Sequence, residues 1–283
     1  MFEMIINPRR TERKPWELFF VGFVYAALSV ILVNWIFAAD PVLSKYSGIL
    51  VVTFSVMFSM PFVYFTLRLE ESKDVYIKNS FRLLKEHGKA LMCFLWLFLG
   101  FIIAFSAFYI IINNTDNYKA QIETYCSINQ PGEYENCVAS YDPNNKITGN
   151  VSGLGMFESI FINNIYVLIF TIIFSIIFGA GGIFILAWNA SVISAAMVIF
   201  SEGNIINIPL GLIRYMIHGF PEISAYFIGT LAGGIIGLSV IKKEFKTDQF
   251  WNVLYDALLL IIIAIIIVFI AAVIEVFITP KFF

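Results

Sequence analysis

The chain has 283 residues, 59% of them hydrophobic and 13% charged, with a formal net charge of -2. Soluble domains are nearer half apolar and a quarter charged, so this composition excludes an ordinary soluble fold. The small net charge gives no basis for a nucleic-acid partner.

Several apolar runs exceed the roughly 20 residues a helix needs to cross a bilayer. Residues 1–15 carry Arg9, Arg10, Arg13 and Lys14, and basic residues beside a first crossing hold that end in the cytoplasm. The first crossing, 17–39, is long enough to span and lacks a small-residue cleavage site, so it reads as a retained anchor. Trp16 suits the interface, and Asp40-Pro41 opens a short outer turn. The second crossing is 47–67, with Pro61 expected to kink it.

Residues 68–89 mix Arg68, Lys73, Lys78, Arg82, Lys85 and Lys89 with Glu70, Glu71, Asp74 and Glu86. The Lys and Arg content places this connector inside. Val75, Phe81 and Leu84 interleave with the charges, so part of it is expected to lie flat on the membrane. It reads as a solvated connector, or else as a docking site, and His87 reads as a surface residue.

The third crossing is 90–112, with Cys93 as a small apolar filler. These first 112 residues make an N-terminal three-span region. Residues 113–158 are rich in Asn, Tyr and Gly and poor in Lys and Arg, so they form an extracytoplasmic loop. Cys126 and Cys137 flank a turn at Pro131-Gly132, which predicts a disulfide staple. The triplets 113–115 and 150–152 fit the glycosylation pattern.

Residues 159–283 form a C-terminal bundle. The fourth crossing is expected over 164–188. The fifth, 189–214, is interrupted by Ser201-Glu202-Gly203-Asn204 and Pro209, so it is expected to be broken or re-entrant. The sixth, 217–241, ends on Lys242, Lys243 and Lys246, and the seventh is 253–278. The expected fold is an all-α, polytopic transmembrane helical bundle of seven crossings in the plasma membrane.

The polar groups Asn163, Asn164, Asn189, Arg214, His218 and Glu222 form a candidate intramembrane site. If the sixth helix starts near Phe220, with Pro221 in its first turn, His218 lies just before it and Glu222 in that turn, favoured by the helix dipole and able to pair with Arg214. On one continuous helix His218 and Glu222 share a face instead. Ionisable groups in a bilayer cost at least about 2.5 kcal/mol each and are rarely idle, so a proton or cation site is the functional reading. Interhelical hydrogen bonding, at about 0.6 to 2 kcal/mol each, is the structural reading of the asparagines. Asp256 and Glu275 fall near the ends of the last crossing, where snorkelling explains them.

Gly229, Gly233 and Gly237, extended by Ala225, make a small-residue face on which two helices can touch at the backbone. Ser175 and Gly179 repeat the spacing, with Gly182 beyond, so the fourth and sixth crossings are expected to pack together. His-Glu-x-x-His, P-loop and Gly-x-Ser-x-Gly motifs are absent, and no cofactor or metal is expected.

The run 163–240 resembles the stage II sporulation protein M family of integral membrane proteins. The resemblance is carried by Asn163-Asn164, the Gly179 to Gly182 cluster, Asn189-Ala190, and His218-Gly219-Phe220-Pro221-Glu222 followed by Gly229 to Gly237. Ala190 departs from an expected Asn-Gly pair, and Ile217 from an expected proline. The resemblance implies a prokaryotic envelope-associated membrane protein. The named member works with peptidoglycan-degrading partners during engulfment.

Two functions follow. The leading one is a non-enzymatic scaffold for envelope or membrane remodelling, with envelope partners on the outer loop and a glycine face that either joins copies in a homo-oligomer or packs within one copy. The alternative is a small transporter or channel with Asn163, Asn164, Asn189, His218 and Glu222 along a polar path.

Overall fold

The computed structural model of the chain describes residues 11–37, 39–40, 42–76, 80–112, 118–129, 134, 137–138, 153–201, 205–241 and 248–281. Among these there are eight main helices and no strand. Lipid offers no hydrogen-bond partner, so apolar runs of this length must satisfy their backbone internally, as helices do. The helices are α1 (Glu17–Phe37), α2 (Ser47–Tyr76), α3 (Ser80–Ile112), α4 (Lys119–Asn129), α5 (Gly153–Phe178), α6 (Gly182–Phe200), α7 (Ile208–Ile241) and α8 (Asp248–Val273). All except α4 are long and apolar enough to cross a membrane, which gives seven crossings.

Several boundaries differ from those read in the sequence. The fourth crossing does not run on to residue 188. It ends at Phe178, and α6 begins at Gly182. Gly179 takes φ +63, with no atom near enough to meet a Cβ, so it is a turn residue rather than a packing residue. The interruption expected inside the fifth crossing lies between helices: α6 is continuous over Gly182–Phe200, and α7 starts at Ile208. Pro61 and Pro221 both lie inside helices that continue past them.

The charged connector is not a separate flat helix. The helix α2 carries on to Tyr76 and α3 starts at Ser80, so two crossings extend to bear the charges. His87 is a correction: it is buried, with Nδ1 2.8 Å from Glu70 Oε2. Lys73 Nζ donates to Glu70 Oε1 at 2.6 Å and to Glu12 Oε1 at 2.9 Å. The residues just before α1 are thereby tied to α2. Burial, with the Glu70 carboxyl beside it, holds the Glu12 pKa above the ordinary glutamate range. At the far end of α1, Asp40 Oδ1 accepts the backbone N–H groups of Val42 and Leu43, both at 2.8 Å, and these hold its pKa below the usual aspartate range.

One hydrophobic core runs from Leu18 on α1 to Val268 on α8, so the N-terminal three-span region and the C-terminal bundle share it. The helix α7 is the axis, with 83% of its crossing window buried. It packs on α5, α6 and α8 and also touches α2 and α3. The glycine face of α7 meets α5, as expected. A Cβ on Gly233 would stand 2.6 Å from the Ile172 carbonyl oxygen, and one on Gly237 would stand 2.5 Å from that of Ile176. One on Gly229 would meet Leu168 at 2.7 Å. Gly182 sits against the hydroxyls of Ser175 and Thr230. A second close crossing, between Gly22 of α1 and Gly100 of α3, was not anticipated. A Cβ on Gly100 would lie 3.1 Å from the Gly22 Cα.

The segment between the third and fourth crossings contributes α4. Cys126 and Cys137 form the predicted disulfide, across 11 positions. Gln121 Nε2 donates to the Gly48 carbonyl at 3.0 Å and to Ser191 Oγ at 3.2 Å, which seats α4 on α2 and α6. The glycosylation triplets, the Pro131-Gly132 turn, the side chains of 74–84 and the basic stretch 242–247 lie outside the described residues.

Candidate functional site

The Gly179 turn sends the chain back on itself, and α5 and α6 then both pack on α7 while touching each other little. The space left between them is a cleft of about 670 Å³. Its other walls are α4 and the segment after α8.

Five of the six sequence-predicted polar residues line this cleft: Asn163, Asn164, Asn189, His218 and Glu222. Asn164 is 4% exposed, and its Nδ2 has no hydrogen-bond partner among the described residues. Asn163 Nδ2 donates weakly to Asn164 Oδ1 at 3.4 Å. Asn189 Nδ2 donates to the Ile185 carbonyl one turn back, at 2.8 Å, and its amide oxygen has no hydrogen bond among the described residues.

Because α7 is continuous through Pro221, His218 and Glu222 share a face. The reading in which a helix starts near Phe220 is therefore corrected. Pro221 has no N–H, so the carbonyl one turn before it loses its helical donor beside the cleft. Tyr226 Oη donates to Glu222 Oε1 at 2.8 Å. The expected Glu222–Arg214 pairing is replaced by this bond. Arg214 does not line the cleft: its guanidinium lies 4.8 Å from the Phe200 ring centroid, near the α6–α7 turn.

Sequence reasoning missed Glu275. After α8 the helix widens into a π turn, Ile274–Ile278, and Glu275 lines the cleft rather than snorkelling away. Its Oε1 is 3.9 Å from His218 Nε2, and Thr279 Oγ1 is 3.4 Å from His218 Nδ1. Single-turn π bulges gather at functional sites. The signal available in the sequence was a lone carboxylate closing a run otherwise free of charge from 257 to 274. Tyr125 of α4 and Tyr215 of α7 also line the cleft, with hydroxyls 3.4 Å apart.

The arrangement therefore sets two carboxylates, an imidazole and three amides around one cleft, and no Lys or Arg among the described residues lines it. Charge at membrane depth is costly unless it is paired. Glu222 lies about 21 Å along α7 from its start, far from either helix end. Such a site suits a ligand that is positively charged and donates hydrogen bonds.

Comparison with known proteins places the chain in a family. A protein of Methanocaldococcus jannaschii, "Uncharacterized protein MJ0793", is 37% identical over 132 residues, a match covering 44% of this chain and 71% of the relative. No solved structure matches the chain. A family model described as Stage II sporulation protein M matches residues 17–280, so the likeness read over 163–240 extends through the first three crossings. The chain belongs to the stage II sporulation protein M family of membrane proteins.

Proposed function

We propose that this protein is a non-enzymatic carrier that binds a cationic, hydrogen-bond-donating solute in the cleft and moves it through the membrane. One observation carries the reading: Asn163, Asn164, Asn189, His218, Glu222 and Glu275, from three helices and the π turn, converge on a single cleft. In this reading the protein sits in the plasma membrane, with its N-terminus cytoplasmic and α4 outside. The glycine contacts between α5 and α7 act as a glycine zipper that keeps one wall of the cleft rigid.

The test is flux in proteoliposomes, measured for protons, potassium and alkylammonium ions of increasing chain length. Glu222→Gln and His218→Ala are expected to reduce flux of the transported ion at least tenfold while folding normally. Unchanged flux in both folded variants overturns the carrier. A scaffold is the second reading, supported by α4, which the disulfide and Gln121 hold as a firm outer surface for an envelope partner. It takes precedence if no ion in the series is carried.

A further inference from the structure

The cleft has a second property that bears on what enters it. Its polar groups and its apolar wall are separated by depth. Along α5, Asn163 and Asn164 come first, on the side of α4, and Phe170 and Ile173 follow, with Ile173 roughly 15 Å farther in. Along antiparallel α6 the same order holds, with Asn189 nearer α4 and Ile185 deeper. The α4 end also carries Thr124 and Ser127, beside the apolar Ile160, Val192 and Ile193, so every ionisable and amide group of the cleft lies toward that end and the deep end is apolar throughout.

The deep wall is also open sideways. Phe170 and Ile173 line the cleft and are 51% and 48% exposed. Of the seven crossings α5 has the smallest buried share, 22% of its window. A helix this exposed at membrane depth faces lipid, so the cleft is continuous with the hydrocarbon phase. An aqueous ion would have to pass that apolar wall, whereas a molecule already dissolved in the bilayer would not.

We infer that the occupant is a long-chain amphiphile drawn from the bilayer, with a primary ammonium and a neighbouring oxygen acceptor at its polar end. This rests on the carrier reading of the same cleft and narrows it to one substrate class. The ammonium meets the Glu222 and Glu275 carboxylates. The oxygen accepts from Asn164 Nδ2, a buried donor with no partner among the described residues. The chain lies over Phe170, Ile173 and Ile185, where its burial is favoured relative to water. In the bilayer that term is already satisfied, so the head contacts set selectivity among lipids.

Trp188 lines the cleft and reports its occupancy. The experiment uses a full-length variant in which Trp188 is the sole tryptophan, with Trp16→Phe, Trp35→Phe, Trp96→Phe and Trp251→Phe. It is placed in phosphatidylcholine vesicles, whose lipid holds no primary amine. Quenching is titrated with a chain-brominated dodecylammonium and with the uncharged dodecyl alcohol brominated at the same carbon, and ethanolamine is added as a chainless competitor. The expected result is saturable quenching by the ammonium probe only, no displacement by equimolar ethanolamine, and roughly tenfold weaker binding in Glu222→Gln and in Glu275→Gln. Two glutamate variants are used so that misfolding of one leaves the other decisive.

Equal or non-saturable quenching by both probes means simple partitioning and overturns the inference. Displacement by equimolar ethanolamine also overturns it while leaving the carrier reading intact, because the cleft then takes a soluble amine. If neither probe quenches saturably and no ion of the flux series is carried, both readings fall together.

Discussion

Glu70 is fully buried, and it is tolerated there because Lys73 and His87 both reach it. Removing one partner from a buried ionic group leaves the others uncompensated, at a cost of about 3–5 kcal/mol. Glu70→Ala is therefore expected to lower the unfolding midpoint in a denaturing-detergent series far more than Lys89→Ala. The Lys89–Glu86 pair is largely exposed and is worth about 0–1 kcal/mol. His87 was not legible in the sequence because its neighbours are charged and its burial comes from a residue 17 positions away. Asp40 gives the pH test. Two backbone amides hold its folded-state pKa below the ordinary value, so its stabilising effect is complete above that value and is lost as pH falls through the lower one. Wild type should exceed Asp40→Ala in unfolding temperature at neutral pH, with the gap closing as pH falls below the ordinary aspartate value. A gap that persists in acid would show that the carboxylate charge is not what matters.

At the level of elements, the glycines separate into two kinds. Gly233→Val forces a side chain into the α5 backbone and is expected to cost about 1–3 kcal/mol, read as a lower unfolding temperature. Gly88 lies within α3 with open space around it, so Gly88→Ala should stabilise by about 0.5–1 kcal/mol. The α7–α5 contact was readable because its glycines recur every four residues on one helix. The α1–α3 crossing was not, because it uses one glycine from each of two distant helices. Hydropathy misplaced the fourth and fifth crossings for a related reason. The Gly179 turn is apolar and leaves no trace in a hydropathy profile, while the polar residues after Phe200 resemble a break within the membrane. The disulfide was legible, whereas the seating of α4 through Gln121 was not. Reduction of Cys126–Cys137 should remove about 2–4 kcal/mol of restraint and speed amide exchange in α4 ahead of α7.

For the whole molecule, sequence reading recovered the all-helical bundle and seven crossings, and it named five residues that turn out to share one cleft. It left out Glu275 because distance along the chain hid its approach to His218, and it included Arg214 because sequence proximity suggested a pairing that Tyr226 makes instead. The two helices that form the cleft with α5 also differ greatly in length. The 19 residues of α6 span about 28 Å and the 34 of α7 about 51 Å, against a hydrocarbon layer of about 30 Å. A short helix answers a thick bilayer by thinning it locally, while a long one answers by tilting or projecting. These walls of one cleft thus respond differently to membrane thickness, so its width is tied to lipid chain length. Trp188 quenching in vesicles of short-chain and long-chain lipids is expected to report different affinities for the same probe, which would make the protein's activity depend on which membrane it inhabits.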